Sequence, residues 1–234
     1  MLIANPIYDV VFKYMMDDNR VAKLLISAII NEEIIELEFR PKEKVVELSH
    51  EQIESNPNLK NLKGRITFFT VYRLDFSAVV KTKDGEHKKV LIEIQKAKYP
   101  TDIMRFRKYL GEQYSSEENV YMVNEPKTKY KKALPIISIY FLGHTLKHTN
   151  APVIKVARKY FNIITGKEIL EKEEFIESLT HDSYIIQIPY LKSKRQTELL
   201  ILLSVFDQSN ISHSMHILNV NETNFPEKYR PMNR

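Results

Sequence analysis

The stretch TVYRLDFSAVVKTKDGEHKKVLIEIQ, Thr70–Gln95, decides the fold. Two runs rich in β-branched and aromatic residues, 70–82 and 87–95, flank Asp84-Gly85 and predict an antiparallel hairpin. A three-residue loop, Lys83-Asp84-Gly85, puts glycine at the left-handed position that such loops need. Phe76 then faces Ile92, Ala78 faces Val90 and Leu74 faces Ile94, so the apolar residues share one side. A two-residue loop would pair Phe76 with Glu93 and Asp75 with Ile94, mixing polar and apolar faces. A slip of one residue turns every side chain over, so the odd-length loop is preferred.

That register has a chemical consequence. Asp75 stands across from Glu93 and Arg73 across from Gln95, with Cβ atoms about 5 Å apart. Two carboxylates so close repel each other unless a cation lies between them, one binds a proton, or water screens both. Oxygen ligands at this spacing suit magnesium or manganese.

Outward from the hairpin, Asn5-Pro6 reads as an N-cap followed by proline at the first helical position. Ile7, Val10, Val11 and Tyr14 recur at helical spacing, and Asp17-Asp18-Asn19 breaks that helix. Val21, Leu24, Leu25, Ala28 and Ile29 mark a second helix. Residues 34–39 and 44–48 are short strand candidates, and 56–64 is loop-like. After the hairpin, Tyr99-Pro100-Thr101 starts a helix capped by Thr101, with Ile103, Phe106, Leu110 and Tyr114 as its apolar stripe. Arg105 and Tyr109, one turn apart, share another face. The apolar run 134–142 reads as a buried strand. Helix, strands, hairpin, helix and buried strand make an α/β or α+β fold, with a mixed central sheet flanked by helices.

With 234 residues and 43% hydrophobic content, the chain suits one domain plus an appendage, or two small domains. It has no cysteine, which excludes disulfides and thiolate metal sites. It lacks a signal-peptide pattern, and its apolar runs are too short to span a bilayer, so a cytoplasmic protein with no membrane partner is expected. There is no phosphate-cradling glycine loop and no G-x-S-x-G elbow. His144 and His148 are four apart but lack the H-E-x-x-H context of a zinc site. The charge is uneven. Residues 31–55 hold eight glutamates against three basic residues, and 81–108 hold nine basic residues against four acidic ones. Lys127, Lys129, Lys131 and Lys132 add a second basic run. Clustered cations suit a phosphate-backbone ligand, although a solvated mixed surface gives the same pattern.

The residues also carry a family likeness. The order αβββαβ, with Asp on one hairpin strand and Glu-x-Lys on the next, is the PD-(D/E)XK nuclease core. This chain resembles one branch of it, the bacterial recombination-promoting nucleases, also called PD-(D/E)XK nuclease family transposases. Asp9-Val10-Val11-Phe12-Lys13 resembles that branch's D-x-x-F-K, Arg73-Leu74-Asp75 its R-x-D, and Glu93-Ile94-Gln95 its E-x-Q. Arg105-x-x-x-Tyr109 resembles its R-x-x-x-Y, and Thr165-Gly166 and Ile188-Pro189 fall at matching places. The resemblance covers roughly residues 4–208.

The resemblance implies a metal-dependent DNA endonuclease linked to recombination or mobile elements. Asp75, Glu93 and the Ile94 carbonyl would hold Mg2+ or Mn2+, with Asp9 as a further ligand. Gln95 occupies the catalytic lysine position and carries no charge. Lys13 is the candidate to supply that charge. Arg73, Lys96, Lys98, Arg105 and Tyr109 would contact DNA, and Arg105 would touch a phosphate or hold Glu93. The implied domain is 1–207, with its core at about 5–145 and additional strands and helix at 150–207. A C-terminal tail, 208–234, would follow. A homodimer is left open. The alternative is a catalytically silent nuclease-fold module that binds DNA or a partner protein.

Overall fold

The structure is a computed structural model and describes residues 2–40, 43–47, 68–73, 76–95, 100–125, 128–191 and 197–220. Its first half runs β1 (Leu2–Ala4), α1 (Asp9–Met16), α2 (Asn19–Ile30), β2 (Ile34–Phe39), β3 (Glu43–Glu47), β4 (Phe68–Arg73), β5 (Phe76–Thr82), β6 (His87–Gln95) and α3 (Pro100–Ser115). There follow β7 (Val120–Glu125), β8 (Thr128–Ala133), β9 (Ile136–Leu142), β10 (Val153–Val156), β11 (Tyr160–Phe161) and β12 (Glu168–Ile169). The chain continues through α4 (Glu174–Leu179), β13 (Asp182–Gln187), α5 (Glu198–Leu203), β14 (Ile211–Ser212) and β15 (Ser214–Asn219).

Six strands form a mixed central sheet in the order β10-β13-β9-β6-β5-β2. The β5–β6 hairpin has the expected register, with Phe76 opposite Ile92 and Ala78 opposite Val90. Gly85 takes φ +86° in the three-residue loop, and its N–H donates to the Thr82 carbonyl at 2.9 Å. An L side chain rarely adopts that φ, so glycine fixes the loop length and through it the register. β6, β9 and β13 are parallel neighbours. Strands buried on both faces read as near-continuous apolar runs, as 136–142 does.

The sheet has two unlike faces. Phe76, Ala78, Val90, Ile92, Ile94, Ile139 and Phe141 point to the main core, which α1, α2 and α5 close. Phe12 of α1 sits 6.0 Å from the Phe141 ring and 6.3 Å from Phe206, centroid to centroid. The opposite face carries Leu91, Ile136, Tyr140 and Leu142 and is covered by Phe106 and Tyr109 of α3.

Several expectations are corrected. The first helix begins at Asp9, not after Asn5-Pro6. Asn5 is instead a buried hub, whose amide donates to the Met215 carbonyl at 2.7 Å and to Gln208 Oε1 at 2.8 Å. Its buried side is Phe12 and Met16, while Val10 and Tyr14 are 78% and 83% exposed. The helix is short, and its aromatic partners rather than its apolar count select the inner face. The third helix starts at Pro100, with Thr101 inside it. Proline at the first position loses an N–H that would lack a partner anyway. Phe106, Tyr109 and Gln113 are its buried residues, and Ile103 and Tyr114 are exposed. The run 70–82 is two strands, since β4 pairs with β3 in a separate ribbon where Arg73 registers with Glu43. Residues 208–220 are not a tail. β15 pairs with β1, and Leu218 and Val220 are buried in the main core. Leu74, Asp75, Lys96, Lys98, the 56–64 loop and residues 221–234 lie outside the described residues. Among the described residues, no helix is long and apolar enough to cross a membrane.

Candidate functional site

The parallel strands β6, β9 and β13 end at Gln95, Leu142 and Gln187 on one side of the sheet. Sites in open α/β sheets gather at such carboxyl ends. Glu93 lies there, in register with Tyr140 of β9 and only 4% exposed. Strand alternation points it away from the main core, to the face covered by α3. Arg105 of α3 donates to Glu93 Oε1 at 2.6 Å. The pair is asymmetric, since the Arg105 side chain is 50% exposed. Water can solvate the guanidinium if the bond breaks, but it cannot solvate the carboxylate as well.

Tyr140 is the residue that sequence reasoning missed. Its hydroxyl is buried and has no hydrogen-bond partner among the described residues. Its ring meets Phe106 edge-on at 4.1 Å. Burial, and then the neighbouring Glu93 carboxylate, push the phenol well above its ordinary value. It therefore stays protonated at neutral pH and offers a donor rather than a base. The signal was an aromatic hydroxyl inside the buried run 134–142, where the other hydroxyl, Ser138, finds Ser183. Tyr140→Phe is expected to raise stability in urea denaturation by about 1 kcal/mol, because it removes an unsatisfied buried polar atom. A loss of stability would mean that the hydroxyl is satisfied in solution.

The other expected site residues are placed as follows. Tyr109 is buried beside Phe106, one turn from Arg105. Ile94 packs its side chain into the main core, with its backbone in register with Phe141. Lys13 forms an ion pair with Asp9 at 2.9 Å on α1, the helix that packs on the opposite face from Glu93. Gln95 registers with Leu142 through its backbone. The side chains of Gln95 and Arg73 lie outside the described residues, as do Asp75, Lys96 and Lys98. Among the described residues, no group of three His, Asp or Glu side chains is placed to hold a metal.

The lysines of the hairpin are mostly paired within the chain. Lys81 pairs with Glu36 at 3.0 Å, Lys83 with Glu33 at 2.8 Å and Lys88 with Glu32 at 2.5 Å. Glu36 of β2, and Glu32 and Glu33 in the turn before it, thus pair with the lysines of the hairpin beside them. Arg107 and Lys108 on α3 remain exposed. A cavity of about 230 Å3 opens at the amino ends of the parallel strands, lined in part by Lys88, Lys155, Arg158, Glu177 and Asp182. Arg158 is held there by Asp182 at 2.9 Å and Glu177 at 2.7 Å, so these charges satisfy one another.

Comparison of the chain with protein-family models, with curated proteins and with solved structures gave no match.

Proposed function

We propose that the chain is a divalent-metal-dependent DNA endonuclease of the PD-(D/E)XK type, acting in recombination or on mobile elements. Asp75 and Glu93 are its metal-holding carboxylates. The observation that carries the reading is Glu93, an almost fully buried carboxylate at the carboxyl end of the parallel strand β6, held by an arginine of the following helix. The succession α2, β2, β5, β6, α3, β9 in and on the central sheet supports it. So does the pairing of Phe76 with Ile92, the register on which the opposition of Asp75 and Glu93 rests. The donor set is all oxygen, which fits Mg2+ or Mn2+.

The reaction adds a water oxygen to phosphorus as the bond to the leaving sugar oxygen breaks, and that oxygen takes up a proton. Asp75, Glu93 and the Ile94 carbonyl would hold the cation, which would supply Lewis acidity at the phosphate and for the attacking water. Arg105 orients Glu93, and its half-exposed side chain is placed where it can grip a phosphate. Gln95 orients the attacking water without adding charge. Tyr140 gives one protonated donor beside Glu93. Lys13, engaged by Asp9, leaves Arg105 as the nearer source of positive charge.

One observation favours the second reading, a module that binds without cutting: Arg105 already neutralises Glu93. Incubation of supercoiled plasmid with Mn2+, with and without chelator, separates the two. Chelator-sensitive nicking supports the endonuclease, and binding without nicking supports the module. Either way, DNA affinity should fall as salt rises, and Arg107→Ala with Lys108→Ala should lower the salt slope by about 2 if both touch phosphates. An unchanged slope in a filter-binding titration would remove α3 from the DNA interface.

A further inference from the structure

Three hydrogen-bond donors meet on the second sheet face with no acceptor to take them. Lys89 follows the same alternation as Leu91 and Glu93, so its side chain points to that face; it is 4% exposed. No hydrogen bond or ion pair takes up its ammonium among the described residues. Ser77 registers with Leu91 on the neighbouring strand and is fully buried, and its hydroxyl has no partner among the described residues. Arg40 stands beside Ser77, its N–H donating to the Ser77 carbonyl at 2.9 Å. The Arg40 Nη groups go to Glu38 at 3.1 and 3.2 Å, but its Nε–H is buried and unpartnered. Lys89 registers with Val79, which registers with Glu38, so the three donors occupy adjacent rows of three adjacent strands. Lys89 and Ser77 are diagonal neighbours, which lie about 7–8 Å apart at Cα, and Arg40 stands directly beside Ser77 on the far side, within reach of long side chains.

We propose that Lys89, Arg40 and Ser77 form a binding site for a phosphate oxyanion. Burial alone would leave this patch better filled by an apolar side chain, since an unpaired buried amine is costly. Burial, and then the charge of Arg40, push the Lys89 amine down to about 8. The carboxylates that oppose this shift, Glu118 and Glu38, are both exposed, and Glu38 is already paired with Arg40. A tetrahedral oxyanion offers enough acceptors to take the ammonium, the Nε–H and the hydroxyl together, where a planar carboxylate offers two oxygens. Lys89 lies four residues before Glu93 on the same face, roughly 13 Å along the strand. The site therefore stands apart from Glu93 and does not depend on DNA cleavage.

Thermal melting of the full chain in sodium phosphate, against sodium chloride of equal ionic strength, tests the proposal. The melting temperature should rise by roughly 3–6 °C at a phosphate concentration ten times Kd. Lys89→Met should remove that response, and Ser77→Ala should weaken it; the alanine variant keeps the test decisive if the methionine variant does not fold. Two short oligonucleotides, one with a 5′-phosphate and one without, identify the source. A response to the phosphorylated one alone marks a terminal phosphate, and equal responses mark the backbone. Equal shifts in phosphate and chloride, or a full phosphate response in both variants, would overturn the site.

Discussion

Glutamine in place of Glu93 should leave the chain folded and stop manganese-dependent nicking of plasmid DNA, with a rate loss of at least ~10²–10³. Glutamine keeps the shape and can still accept from Arg105, so the contact at 2.6 Å loses charge assistance but not its geometry. Arg105 is half-exposed and stays solvated, so no charge is stranded. The reverse change behaves differently. Arg105→Ala leaves the Glu93 carboxylate buried without that cation, at a cost of about 2–3 kcal/mol, discounted from the fully buried case because water reaches the arginine side. Glu93→Gln should therefore lose activity at nearly full stability, and Arg105→Ala should lose both. Plasmid nicking and urea denaturation on the same two proteins check this. Persistent nicking by Glu93→Gln would sink the endonuclease reading. Equal stability losses would show that the ion pair is not asymmetric.

Lys89→Met should stabilise the protein at pH 7 by about 2–3 kcal/mol in buffer free of phosphate. The folded-state value of about 8 lies below the ordinary 10.5, so the unfolded chain binds more protons between those limits. The lysine's penalty is thus complete below pH 8 and fades as pH rises towards 10.5. The stability gap between the variant and the parent should close over that window. Other lysines titrate in both proteins and cancel in the difference. Urea denaturation at pH 7, 8.5 and 10 measures it. A variant less stable than the parent at pH 7, or a gap that ignores pH, would mean that the amine has a partner in solution.

Legibility from sequence followed the range of the interactions. Leu25 and Ile29 were placed inward correctly because α2 is twelve residues long, enough for an apolar stripe to declare itself. The stop between α1 and α2 was equally plain, for Asp18 accepts from the Arg20 N–H at 2.9 Å and caps the second helix from two residues away. By contrast, the eight residues of α1 carry apolar side chains on several sides. Which of them is buried depends on Phe141 and Phe206, which arrive from β9 and from the turn after α5.

The hairpin register was determined by the sequence alone, because a side-chain period of two and a left-handed glycine are local constraints that admit one solution. With it came the side of β6 that carries Glu93, since alternation leaves no choice once Ile92 faces the core. What stood across that face was for the tertiary structure to decide. Arg105 meets Glu93 only because α3 folds back over the sheet, and Tyr140 joins them only because β9 enters parallel to β6. The same lysine-rich pattern from 81 to 89 became two surface ion pairs, one pair with a buried lysine, Lys88, and one buried, unpaired amine, Lys89. Nothing local separates those lysines. Their fates differ because β2 and the turn before it lay glutamates beside Lys81, Lys83 and Lys88, while Lys89 turns to the other face and finds Arg40.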